Sequence, residues 1–178
     1  GSIRTPLEPD RTYSDDPLRM LRAIRFATKL STPGLEFSIV PESLESMSRN
    51  RERMQILSKE RIAEELNKIL LTARPSRAFL LMDSTGLLDY VLPQLSKLKG
   101  VETVEGKGHK DNFSHTLQVL DNVAAADDEG RLWLRWAALL HDIGKPATKR
   151  WDPSTGWTFH GHEVVGARMV GKIFQQLK

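Results

Sequence analysis

Cysteine is absent from the 178 residues, so no disulfide framework braces the fold. No apolar run approaches the roughly 18 residues that a membrane-spanning helix needs. A secretory signal, internal repeats and low-complexity tracts are also missing. The default expectation is therefore a cytoplasmic protein with no membrane partner. Charge of one sign is scarce as well, the formal net charge being +3. That surplus lies wholly in residues 1–110, with eighteen Lys/Arg against fifteen Asp/Glu; residues 111–178 balance at eight against eight. A surplus of three does not establish nucleic-acid binding, so local clustering must carry any such claim. What is present is ordinary: 39% hydrophobic and 28% charged residues, enough for one domain or two small ones. Gly1-Ser2 reads as a cloning remnant, and both ends read as cut from a longer protein. The sequence carries no sign of oligomeric state.

Residues 3–15 hold Pro6 and Pro9 and no helical period, so they are expected to be extended or turn-like. A helix is expected to open at Asp16-Pro17, the aspartate suited to the N-cap and the proline to the first turn, and to run to about Leu30. On its wheel Arg19, Arg22, Arg25 and Lys29 take one side, with Leu18 as an exception among them. Met20, Leu21, Ala23, Ile24, Ala27 and Leu30 take the other. Arginine's planar fork suits bidentate contacts with phosphate or base edges; a solvated charged face is the competing reading. Pro41 opens a helical region to about Leu57. Residues 58–71 form a patterned helix with Ile62, Leu66, Ile69 and Leu70 in the core. Lys59, Arg61, Glu64, Glu65 and Lys68 are its polar residues, and Glu64 and Lys68 are spaced to pair. Another helix opens at Pro75 and is capped by Gly86.

Residues 96–110, with three glycines and Lys97, Lys99, Lys107 and Lys110, read as a linker between units 1–95 and 111–178. The second unit begins with a helix to Ala126 whose core side holds Phe113, Leu117, Leu120, Val123 and Ala124, with His115 off the centre of that stripe. A helix over 131–142 follows, then two short extended pieces near 148–160. A last helix from about His162 buries Val165, Met169, Ile173 and Leu177. The expected fold is all-α, with one short β-hairpin near 148–160.

The helix in Arg131–Lys145 ends on adjacent His141 and Asp142, with Gly144 expected to stop it. His115, His160 and His162 lie on flanking elements that could converge there. A mixed imidazole and carboxylate set suits a divalent transition metal such as zinc, iron, cobalt, manganese or nickel. The plainer alternative is that His141 caps its own helix end, Asp142 pairs with Lys145, and the other histidines are surface residues.

His115, His141-Asp142-Ile143-Gly144-Lys145 and His160-x-His162-Glu163-x-x-Gly166-Ala167 together resemble the HD superfamily of metal-dependent phosphohydrolases, an all-helical fold. The resemblance implies metal ligation by His115, His141 and Asp142. It also implies a distant aspartate ligand, but no aspartate follows Asp152. His160 and His162 fall where two-metal members place further histidines, and His162 matches better because Glu163, Gly166 and Ala167 follow it in order. At the other end, Ile3–Pro9 and the run from Asp15 to Phe26 resemble the neck motif of the bacterial class II tRNA nucleotidyltransferase and poly(A) polymerase family. Glu60-Arg61-Ile62, Glu65-Leu66 and Ile69-Leu70 match its next motif.

That second resemblance implies addition of CCA to tRNA 3′ ends from CTP and ATP, with Asp16 and Arg19 reading the incoming base and Arg22 near the triphosphate. It also implies Mg2+ held by a head domain whose Gly-Gly-x-x-Arg-Asp and Asp-x-Asp motifs do not occur here. The chain alone is accordingly expected to be inactive as a polymerase. The HD resemblance implies an alternative, a phosphatase or 2′,3′-cyclic phosphodiesterase. A degenerate HD scaffold with an RNA-binding neck is a third reading. Arg49, Arg51, Arg53, Arg74, Arg77 and the lysines of 96–110 are candidate RNA contacts, with an ordinary charged surface as their alternative. Whether CCA, CC, A or poly(A) is added is not legible.

Overall fold

Eleven helices and three two-stranded β elements make up the computed structural model, which describes all 178 residues. Strand β1 (Ser2–Ile3) pairs in parallel with β2 (Ser38–Ile39), Ser2 opposite Ser38. Helices α1 (Pro9–Asp15) and α2 (Leu18–Leu30) lie between them. Helix α1 corrects the extended reading of residues 3–15. The Glu8 carboxylate accepts hydrogen bonds from the N–H groups of Asp10 at 3.0 Å and Arg11 at 2.9 Å. Pro9 then supplies a φ already suited to the first turn. Glutamate lies outside the short polar residues that usually signal an N-cap, which is why the segment reads as structureless. Tyr13 is buried by this helix, and its hydroxyl meets Ser43 Oγ at 3.0 Å.

Helix α2 starts as its sequence requires. Asp16 Oδ1 accepts from Leu18 N–H at 3.2 Å and the Asp16 carbonyl from Arg19 N–H at 3.1 Å. Leu18 is buried rather than displayed among the arginines, while Leu30, expected in the core, is exposed. Helix α3 (Pro41–Arg49) and a 3-10 turn (Arg51–Ile56) lead to α4 (Lys59–Leu70), whose first turn is capped by Ser58 Oγ. Ile62, Leu66, Ile69 and Leu70 are buried, as their spacing demands. Glu65 is buried too, against its reading as a surface residue, and Lys68 approaches Glu65 at 3.9 Å rather than Glu64. Helix α5 (Ser76–Thr85) ends on Gly86 at φ +79°, the left-handed position expected of it. Two short helices, α6 (Leu88–Val91) and α7 (Pro93–Ser96), follow.

The stretch read as a linker contains a hairpin, β3 (Thr103–Val104) and β4 (Lys107–Gly108). Its two turn residues, Glu105 and Gly106, both have positive φ, the geometry that matches strand twist. Glutamate rather than Asn or Asp at the first position hides the signal. Then come α8 (Asn112–Ala126), α9 (Leu132–Leu140) and α10 (Lys145–Thr148). The hairpin expected near 148–160 follows as β5 (Arg150–Asp152) and β6 (Gly156–Thr158), with Trp151 opposite Trp157. Helix α11 (His162–Gln176) closes the chain, burying Ile173, with Met169, Val170 and Phe174 packed against the core. No helix is long and apolar enough to cross a membrane.

A single hydrophobic core runs from Tyr13 to Ile173, taking in Ile24, Leu66, Phe79, Leu117 and Leu139. A buried polar staple reinforces it where α9 crosses the end of α4. Arg135 donates to the carbonyls of Leu70 at 2.8 Å and Thr72 at 2.7 Å, and to Asp127 Oδ2 at 3.1 Å. Beside it, Trp136 Nε1 donates to Asn67 Oδ1 at 2.8 Å. Burial alone would raise the Asp127 carboxyl, but hydrogen bonds from Arg131 and Arg135 outweigh it and hold that pKa below the ordinary value. Gly144 corrects another expectation. Its φ is −82°, so it does not end α9 by adopting the left-handed region. A Cβ there would run into the His162 carbonyl and lie 2.7 Å from Gly166 N, so the glycine is needed for close approach of α11.

Candidate functional site

Two helices deliver the histidine–aspartate cluster. His115 lies on α8, His141 caps the C-terminus of α9, and Asp142 follows it. One ligand atom from each lies within 4.8 Å of the others. The rings of His115 and His141 meet edge to face with centroids 5.9 Å apart. Asp142 is 4% exposed, whereas His141 faces outward. His141 Nδ1 lies 2.7 Å from the Ala138 carbonyl, which only accepts, so Nδ1 carries a proton and Nε2 is the ring nitrogen turned to the cluster. That Nε2 lies 3.2 Å from Asp142 Oδ2. Two acceptors facing each other at this distance are favourable only with a cation, a proton or a metal ion, between them.

His162 repeats the arrangement from the start of α11. Its Nδ1 donates to the Phe159 carbonyl at 3.0 Å, leaving Nε2 at 3.7 Å from Asp142 Oδ1. His160 is exposed and is not part of the converging set. The fifth histidine, His109, is occupied in its hairpin: Nε2 accepts from Glu102 N–H at 3.2 Å and Nδ1 meets the Lys110 carbonyl at 2.8 Å. Lys145 Nζ donates to Asp142 Oδ2 at 2.8 Å, so the ion pair of the plainer reading coexists with the cluster. Two imidazoles and one carboxylate fit a divalent cation of the borderline class. An apolar groove of about 520 Å³ opens beside His141, walled by Trp133, Trp136 and Phe174.

The second candidate site sits at the N-terminus of α2. Asp16 is part-buried; one carboxylate oxygen is held by Leu18 N–H, and the other lies 3.5 Å from Arg61 Nη2 on α4. Arg19, one turn along, is exposed and donates to the Thr12 carbonyl at 3.3 Å. Arg22 lies 3.6 Å from the buried Glu65 carboxylate, which also accepts from Arg25 Nε at 2.6 Å. The sequence does not mark Arg61 or Glu65 for this site, because only the packing of α2 on α4 brings the Glu60–Leu66 motif to Asp16 and Arg22.

The candidate RNA-contacting arginines do not gather into one patch. Arg49 Nη2 donates to both Asp10 oxygens at 3.1 and 3.2 Å. The Asp10 carboxyl is held below its ordinary pKa by Ser46 and Arg49. Arg51 Nη1 donates to the Ser48 carbonyl and Arg53 Nη2 to that of Ser14. On another face, Arg74 Nε lies 3.8 Å from Asp121, and Arg77 binds the Phe37 carbonyl. Each arginine thus braces the fold locally. Lys99 and Lys149 do the same through Asp83 and Glu102, the first raised above the usual lysine pKa by its hydrogen bond to Asp83.

Two families of known proteins match separate parts of the chain. Residues 36–99 match the family described as the probable RNA- and SrmB-binding site of polymerase A, and residues 112–178 match the HD domain. An A-adding tRNA nucleotidyltransferase of Deinococcus radiodurans is 37% identical over 169 residues, 92% of this chain and 38% of that protein. A multifunctional CCA protein of Ralstonia nicotianae is 36% identical over 98% of this chain and 39% of its own length. For a CC-adding tRNA nucleotidyltransferase of Thermus thermophilus the figures are 34%, 94% and 38%. The chain therefore spans about two fifths of the length of these relatives. On this similarity the chain belongs to the tRNA nucleotidyltransferase and poly(A) polymerase family and carries the two matched regions.

Proposed function

We propose that this chain is the nucleotide-reading and RNA-holding part of a tRNA nucleotidyltransferase that uses CTP and ATP. The observation that carries the reading is the Asp16 carboxylate, fixed at the start of α2 by Leu18 N–H and Arg61, with Arg19 one turn away. Cytosine and adenine both present an exocyclic amine, which a carboxylate accepts from, beside a ring nitrogen that a guanidinium donates to. Guanine and uracil present a carbonyl where that amine would be. Asp16 and Arg19 would therefore select C and A by hydrogen-bond polarity, and Arg22, held near Glu65, would meet the triphosphate. The reaction is attack of the tRNA 3′-hydroxyl on the α-phosphorus with loss of pyrophosphate. Mg2+, held by carboxylates this chain does not contain, would neutralise charge on the phosphates. Binding of the four nucleoside triphosphates to the chain tests the reading. CTP and ATP should bind in preference to GTP and UTP, and Asp16→Ala should erase the difference; equal binding of all four by the unaltered chain sinks it.

A second reading, phosphoester hydrolysis at residues 111–178, is favoured by the convergence of His115, His141 and Asp142, with ligand atoms within 4.8 Å of one another. His115, His141 and Asp142 would hold a divalent ion, with His162 Nε2 adjacent. When bound, such an ion activates water and polarises phosphoryl oxygens. Within the chain, the Ala138 and Phe159 carbonyls fix both imidazole tautomers, and Lys145 compensates Asp142. Metal analysis of the purified chain is the direct test. A metal-free chain with no phosphatase rate above background leaves only a scaffold.

A further inference from the structure

Phe26 stands on the outer side of α2 with 43% of its surface exposed, although a core lies on the opposite face of the same helix. One of its ring faces is backed by a cation, the Arg25 guanidinium carbon lying 4.7 Å from the ring centroid. That guanidinium is fixed in turn: Arg25 Nε donates to Glu65 Oε2 at 2.6 Å, and the Glu65 side chain is 2% exposed. A buried carboxylate thus holds an arginine, and the arginine backs an aromatic ring that still leaves 43% of its residue's surface open.

The neighbours of Phe26 say what it is open to. Arg19, Arg22, Phe26 and Lys29 recur at intervals of three, four and three residues, which is one face of a helix. Arg22 is half-exposed, and no carboxylate lies within 4.0 Å of Arg19 or Lys29. An apolar protein partner would strip water from these cations for one ring of contact. A single-stranded polyanion with flat bases suits both features at once.

We propose that Phe26 is a stacking platform for one unpaired base of an RNA strand whose phosphates run along Lys29. The proposal rests on the RNA-holding reading above and extends it to a defined contact outside the base-reading pair. The test is fluorescence anisotropy of the whole chain with a labelled single-stranded RNA, and with the same strand made abasic. Phe26→Leu should weaken binding of the base-bearing strand by about tenfold, in the range found for loss of one base–aromatic stack, and leave the abasic strand unchanged. Phe26→Trp should retain affinity. Lys29→Ala should weaken both strands alike and lower the salt dependence. Equal affinity of Phe26→Leu and the unaltered chain for the base-bearing strand overturns the platform while leaving RNA holding intact. So does a loss that extends to the abasic strand. Salt-independent binding, or none, removes the RNA-holding reading and the platform with it. None of these outcomes bears on nucleotide selectivity at Asp16, which is measured separately.

Discussion

The two candidate sites are built in opposite ways. Asp16 and Arg19 lie on one helix start, three residues apart, so their spacing is set by local chain, and packing adds only Arg61 and the Thr12 carbonyl. The histidine–aspartate cluster draws on α8, α9 and α11, so it exists only when the second half of the chain has folded. A site on one helix end tolerates damage elsewhere in the molecule. A convergent site fails with any element that feeds it.

The strongest way to separate them is Arg135→Met. It leaves Asp127 and the Leu70 and Thr72 carbonyls without their shared donor in a buried place. It should give the largest loss of melting temperature of any variant named here, and metal uptake at the cluster should go with it. Retention of uptake at an unchanged melting temperature would show that the cluster is not convergent. Next comes Gly144→Ala, which forces a Cβ against backbone of α11; we expect about 1–3 kcal/mol of destabilisation by denaturant unfolding. His141→Ala should leave the fold intact and weaken metal binding beyond the ~10–100-fold typical of losing only an outer partner, read by titration with the free ion. Asp16→Ala should alter nucleotide selectivity and, because it removes the cap of α2, cost about 0.5–2 kcal/mol in denaturant unfolding.

The smallest effect concerns Asp152. Hydrogen bonds from Ser154 and the Thr155 and Ser154 N–H groups lower its pKa to about 2. A lowered carboxyl contributes stability above the ordinary carboxylate pKa, and that contribution disappears as pH falls through about 2. Asp127, also lowered, acts with the same sign. Asp152→Asn should therefore flatten acid unfolding only slightly, and only for the β5–β6 hairpin, as followed by the Trp151 and Trp157 signals.

Periodicity made much of this fold legible. Ile62, Leu66, Ile69 and Leu70 announce α4, and Asp16-Pro17 announces α2. What periodicity conceals is polar residues used inside. Glu65 sits between apolar neighbours at a spacing equally suited to a surface, and only its arginine partners on α2 justify burying it. Arg135 interrupts an apolar run, and its role appears only when α4 ends beneath it. His160 and His162 are alike in sequence. The turn at Phe159–His162 aims the second at Asp142 and leaves the first in solvent.

The Arg135 fork also bears on inheritance. The last carbonyls of a helix in one matched region are satisfied by a side chain from the other. A chimera that took residues 36–99 from one relative and 112–178 from another would have to bring a donor to the same spot, or leave two carbonyls bare in the core. The two regions can be recognised separately, but they are exchangeable only as a pair.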